Sequence, residues 1–241
     1  MIKFFNFFCL ISLVWTSSCF SAKKWVISTG EGADLLVQLV IIVMKEAYHN
    51  IGGELEVRYY PGWKRTLIEA NKGNTDGELF RIYGTNRDYP NLVMVPVPVA
   101  HIEGVAFTGK EELKSFVISG WHSIQYNTIG YIGGIRFIAN GTKGFSGIEV
   151  LSNMEQLLQS VNSQHLDLGI NDRITLLPFL KADEYSNIKI LEPPLQKIKL
   201  YHYLHKRNSK LILQITKALK KMENENRIKV IRDEFLHKIA E

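Results

Sequence analysis

Apolar and polar positions come in blocks along this chain, and the block lengths predict a repeating strand–helix order. Residues 24–29 are a short apolar run closed by Gly30-Glu31-Gly32, a strand and a turn. Residues 34–49 have the length of a helix, and 35–44 are apolar nearly all round, which predicts a helix buried between layers. Residues 55–60 alternate as a strand does; Pro61 then opens a helix running to Gly73, with Trp63, Leu67 and Ile68 at helical spacing. Residues 78–82 and 91–95 predict further strands, and such alternation argues for an α/β fold with a mostly parallel sheet.

A second set of this kind begins after Lys110. It has a strand at 129–132, the pair Gly133 and Gly134, a helix and a strand at 166–171. The helix start is signed by a capping box, Ser152 with Glu155, and Met154, Leu157, Leu158 and Val161 follow at helical spacing. Two amphipathic helices end the chain, one with Leu211, Ile215, Leu219 and Met222 on a face, the other with Ile228, Ile231, Phe235 and Ile239.

The first residues break this pattern. Lys3, an apolar run to Trp15 and the small polar residues up to Ala22 have the three regions of a secretory signal peptide over residues 1–22. The run is shorter than the roughly 20 apolar residues that span a bilayer. A lipidated Cys19 is the minority reading, since Thr16 stands where a lipoprotein signal has an aliphatic residue. Both cysteines, Cys9 and Cys19, fall in this leader, so the expected mature protein is exported and periplasmic yet forms no disulfide.

Composition narrows the classes. The 241 residues are 46% hydrophobic and 22% charged, enough apolar side chain for a sizeable core. A net charge of +5, spread evenly, is too mild for a nucleic-acid footprint. The chain lacks a phosphate loop, a nucleophile elbow and a His-Glu-x-x-His helix, so no catalytic residue, cofactor or metal is predicted. His202 and His205 lie three apart on a predicted strand, facing opposite sides, and do not share an ion.

The segment Tyr59-Tyr-Pro-Gly-Trp63-Lys-Arg65-Thr-Leu67 with Ala70, Gly73, Asp76 and Gly77 resembles the first domain of solute-binding proteins of family 3, the periplasmic receptors of ATP-binding-cassette importers. Tyr89-Pro-Asn-Leu92 and Val95-Pro-Val-Pro98 are similar to a subgroup of them, and Ile129-Gly-Tyr-Ile-Gly133-Gly resembles the opening of their second domain. The likeness implies a two-lobe, type II periplasmic-binding-protein-like α/β fold. Lobe 1 would take residues 23–107 and 203–241, lobe 2 residues 108–202, with a ligand cleft between them.

Carried over residue by residue, the resemblance implies that Arg87 or Arg81 grips a carboxylate and that Asp172 receives an ammonium, the alternatives being surface arginines and a turn cap. Gly133 would offer a backbone N–H to the same anion. Tyr60 and Trp63 are an aromatic wall or simply core. The first loop departs from the pattern: where many relatives carry a proline and an aromatic, this chain has Glu31-Gly-Ala-Asp34, with Glu31 as a candidate contact. The implied function is capture of a small polar, amino-acid-like or carboxylate solute by a monomer that serves a membrane permease or a sensor receptor. Two alternatives stand: an exported enzyme on this scaffold, similar to cyclohexadienyl dehydratases, with Glu31 or Glu78 as general acid, and a degenerate module that binds a protein partner.

Overall fold

A computed structural model of the protein describes residues 23–31 and 35–240. The expected leader at 1–22, with Cys9 and Cys19, lies outside the described residues, as do Gly32, Ala33 and Asp34.

The first half alternates β1 (Lys23–Gly30), α1 (Leu35–His49), β2 (Gly53–Tyr60), α2 (Trp63–Lys72), β3 (Gly77–Ile82) and β4 (Leu92–Thr108). Next come β5 (Ile129–Ile132), α3 (Arg136–Gly141), β6 (Ile148–Leu151), α4 (Met154–Asn162), β7 (Leu168–Asp172), α5 (Arg173–Leu176) and β8 (Lys189–Ile190). The chain closes with β9 (Gln196–His205), α6 (Ser209–Asn224) and α7 (Arg227–Ala240). Among the described residues one sheet runs β2-β1-β3-β9-β4-β7-β5-β6, with β8 paired to β4. Pairing is parallel within β2-β1-β3 and within β7-β5-β6, and antiparallel where β9 and β4 join the two groups.

Each parallel group has its own apolar core, as a two-lobe α/β molecule requires. One gathers α1, α6 and α7 with Ile27, Leu79, Val95, Val97, Val99, Ala100 and Leu200. The others gather Val105 and Phe107 with α4, and Ala106 with Ile129, Ile138, Ile170 and Leu195. The apolar environment therefore changes between Ile102 and Val105 in β4 and between Leu195, just before β9, and Leu200 within it, upstream of the expected divisions at 107/108 and 202/203.

Four local readings are corrected. The strand expected at 91–95 continues to Thr108 through Pro96 and Pro98, because the β4–β9 ladder shifts register on both sides of Pro98, absorbing the hydrogen bonds that proline cannot donate. Helix α2 begins at Trp63 with Gly62 as its cap, at φ 75°, so Pro61 precedes the helix rather than opening it. The cap of α4 is Asn153: its side chain accepts from Gln156 N at 2.9 Å, and the Gln156 side chain reaches back to Ser152 N at 3.3 Å. Helix α1 buries one broad face through Val37, Val40, Val43, Met44 and Ala47, but Ile42 is 44% exposed, so it is not covered all round. Among the described residues no helix is long and apolar enough to cross a membrane.

The chain's return to the first lobe is locked by Asp76. Its carboxylate accepts from Val26 N at 3.0 Å and from Arg207 Nη2 at 2.8 Å, while Asn208 Nδ2 donates to its carbonyl at 3.1 Å. Burial works to raise its pKa, and these bonds outweigh it, holding the pKa below the ordinary aspartate value.

Candidate functional site

A cavity of about 340 Å³ lies where the two lobes face each other. Leu36 of α1, Phe80 and Arg81 of β3, and Ile102 and Leu200 of the crossing strands line one side. Ile135 and Phe137 at the start of α3, with Asp172 and Thr175 around the start of α5, line the other. Phe137 packs directly on Gly104, where an added Cβ would collide with the ring, so the β4 backbone approaches this wall closely only because residue 104 is glycine.

Strand β3 explains how Arg81 comes to be held there. Residues 78 and 81 are an odd number apart and would point to opposite faces of a regular strand. The β3–β9 ladder bulges between them, with Glu78 opposite Tyr203 and Arg81 opposite Tyr201, which brings the two side chains together. Arg81 Nη2 meets Glu78 Oε1 at 2.6 Å and donates to Thr66 Oγ1 at 2.6 Å, and Nη1 donates to the Phe80 carbonyl at 3.1 Å. Behind it the Glu78 carboxyl, fully buried, accepts from Ser28 Oγ at 2.7 Å and Thr66 Oγ1 at 3.0 Å. Burial pushes Glu78 up to about 7 against the pull of Arg81 and the two hydroxyls, and burial lowers Arg81 from the usual arginine value.

Across the cavity, Asp172 Oδ1 accepts from Thr175 N at 2.9 Å as the cap of α5, while its own N–H donates to Asn171 Oδ1 at 2.7 Å. The capping role weighed for Asp172 and its place on the cavity wall therefore coexist, since a carboxylate has lone pairs for both.

Arg81 and Asp172 are the expected residues that meet at this cavity. Arg87 ends the 3₁₀ turn Thr85–Arg87, is exposed and does not line it. Glu31 is exposed, its N–H donating to the Tyr60 carbonyl at 3.0 Å, and Tyr60 is half-buried at the end of β2. Gly133 spends its N–H on the Leu151 carbonyl at 3.0 Å, so that donor is engaged within the lobe. Trp63 starts α2; its side chain is outside the description. The apolar wall was missed from sequence, because Phe80, Ile102 and Leu200 have the ordinary signature of core strand positions. Phe137, two residues beyond Ile135 after a glycine pair, was the one available hint.

The paired histidines have separate fates. His202 is fully buried, with Nδ1 3.0 Å from the Leu79 carbonyl and Nε2 3.1 Å from Tyr48 Oη, and burial lowers it to about 4, a neutral imidazole accepting from the tyrosine. His205 lies at the end of β9 and accepts from Arg207 N at 3.2 Å.

No family model matches the chain. It is 27% identical over 194 residues to an uncharacterised protein of Shewanella oneidensis, covering 76% of this chain and 70% of that protein. It is also 27% identical over 90 residues to the L-cystine-binding protein TcyA of Bacillus subtilis, a match that spans 37% of this chain and 34% of TcyA. Among solved structures, the unliganded open L-cystine solute receptor of Neisseria gonorrhoeae superposes with a TM-score of 0.69 at 14% identity, over 90% of this chain and 94% of that one. The chain has the two-lobe fold of periplasmic binding proteins.

Proposed function

We propose that this chain is an exported, non-enzymatic solute-binding protein whose lobes close on a small ligand with a carboxylate and a compact apolar body. The observation that carries the reading is the juxtaposition of Arg81, buttressed from behind by Glu78 and Thr66, with Asp172 of the opposite lobe across a largely apolar cavity. Arg81 places a cation on one wall of the cavity and Asp172 an anion on the other, charges that complement the carboxylate and the ammonium of an amino-acid-like ligand. The cavity volume suits a ligand of amino-acid size. Relatives named as cystine binders support an amino-acid-like solute. Closure stabilises whichever lobe arrangement the ligand binds better, so binding energy becomes a change of shape that a permease or receptor reads. We place the lobe division where the apolar core changes, and assign residues 1–22 to export.

The enzyme alternative needs an acid within reach of the ligand. Glu78 has the raised pKa such a role wants, but it does not line the cavity, and its oxygens are engaged by Ser28, Thr66 and Arg81. We assign it to orienting Arg81.

Isothermal titration of the protein with L-cystine, other amino acids and small carboxylates tests the proposal. A 1:1 binder whose affinity falls in Arg81→Gln and in Asp172→Asn supports it. A well-folded protein that binds none of them, or a ligand indifferent to both substitutions, overturns it.

A further inference from the structure

A second, larger cavity of about 440 Å³ lies behind the crossing strands, away from the cleft. The ladder pairs His101 with Lys199 and Glu103 with Lys197, so these four side chains share one face of the strands, while Ile102 and Leu200 line the cleft cavity on the other. Leu39 and Val43 of α1, Val99 of β4 and Ile228 of α7 give the rear cavity an apolar floor.

Its edge is cationic. Lys197, Lys199, Lys229 and Arg232 line it, beside His101, against one lining acid, Glu223. Glu103, beneath them, is shared out: Oε1 meets His101 at 3.2 Å and Lys197 at 3.0 Å, and Oε2 meets Arg173 at 2.7 Å and Arg232 at 3.0 Å. Lys229 is paired to Asp233 at 2.6 Å, and Asp233 stands 3.8 Å from Arg232, too far for a hydrogen bond. Arg232 is 15% exposed, and its Nε is buried with no hydrogen-bond partner among the described residues. That nitrogen is closed off from the cavity, so the charge a ligand can reach comes from the rest of the Arg232 head and from the exposed Lys199.

We propose that this rear cavity is a second ligand site, taking a small organic monocarboxylate with its acyl or aryl body on the floor formed by Leu39, Val43, Val99 and Ile228 and its anionic head toward Arg232 and Lys199. The charge excess selects an anion, and the apolar floor selects against a fully hydrated one such as phosphate. The site uses none of the cleft residues, so its fate is independent of the proposed cleft ligand.

Titration calorimetry with hexanoate, hexanol and inorganic phosphate tests it on the wild-type protein and on Lys199→Gln, Arg232→Lys and Arg81→Gln. Lys199 is exposed, so its variant folds even if that of Arg232 does not. The expected result is one hexanoate per chain, at least tenfold weaker binding in Lys199→Gln and Arg232→Lys, affinity within twofold of wild type in Arg81→Gln, and neither hexanol nor phosphate competing. Three results overturn it: no binding to the folded protein, hexanol binding as well as hexanoate, or loss of hexanoate binding in Arg81→Gln, which would put the probe in the cleft.

Discussion

Glu78 and Glu103 are both buried carboxylates in crossing or neighbouring strands, yet their surroundings drive their acidities in opposite directions. Glu78, fully enclosed with one cation, is raised to about 7, burial outweighing Arg81, Ser28 and Thr66. Glu103, 8% exposed, is held far below the ordinary glutamate range, first by its bond to His101 and then by Arg173, Lys197 and Arg232, which together overcome burial. Depth of burial set against the groups that converge on a carboxylate decides whether it stays ionised, and the two glutamates fall on opposite sides of that balance. The first arrangement suits a group that props up a binding arginine, the second a rivet: Glu103 ties α5 of one lobe to α7 of the other through the strands between them.

The contrast can be broken at its stronger end first. Glu103→Gln leaves Arg173 and Arg232 facing each other without their shared anion, and urea unfolding should show a loss of about 3–5 kcal/mol. Next in size is a pH effect that separates two buried groups. Glu78 is raised from 4.5 to about 7, so its proton-linked stabilisation is full at low pH and is lost as pH rises through that window. His202 is lowered from 6.5 to about 4, so its contribution is full above 6.5 and is lost as pH falls. The two slopes oppose each other between pH 4.5 and 6.5 in the wild type. In Glu78→Gln the His202 slope stands alone, and stability should climb with pH by on the order of 3 kcal/mol.

Smaller effects belong to the cleft. Arg81→Gln should weaken a carboxylate ligand about 30-fold, roughly 2 kcal/mol. It should cost less stability than Glu103→Gln, because a Glu78 without its cation can keep its proton; paired titration and unfolding curves check both. Smallest is a pH dependence of affinity. Ionised Glu78 competes with the ligand for Arg81, so carboxylate binding should strengthen by up to about tenfold from pH 8 to pH 6, and the gain should vanish in Glu78→Gln.

The sequence made the layer order legible because periodicity is local: α4, α6 and α7 announce their buried faces at helical spacing, and Asp172 and Arg81 were singled out by motif. What stayed hidden depends on strands far apart in the chain. The long β4 passes through two prolines that locally argue against a strand, and only its pairing with β9 keeps it extended. The Glu78–Arg81 contact needs a bulge that alternation alone would exclude. Glu103 has one neighbour in its own strand, His101, but its other partners come from β9, α5 and α7, which no local pattern announces.

The sheet's connectivity also sets a timetable for synthesis. Strands β5, β6 and β7 and helix α4 form a nearly contiguous stretch whose partners, apart from β4, are neighbours in the chain, so that half can condense early. The other half waits. Strand β3 completes its ladder only with β9, Gly77 meeting Leu204 across more than half the polypeptide, and α6 and α7 arrive last of all. Until then the part of α1 that α6 and α7 cover stays open although β1 to β4 already back the helix, and a nascent chain at that stage is a client for a holdase.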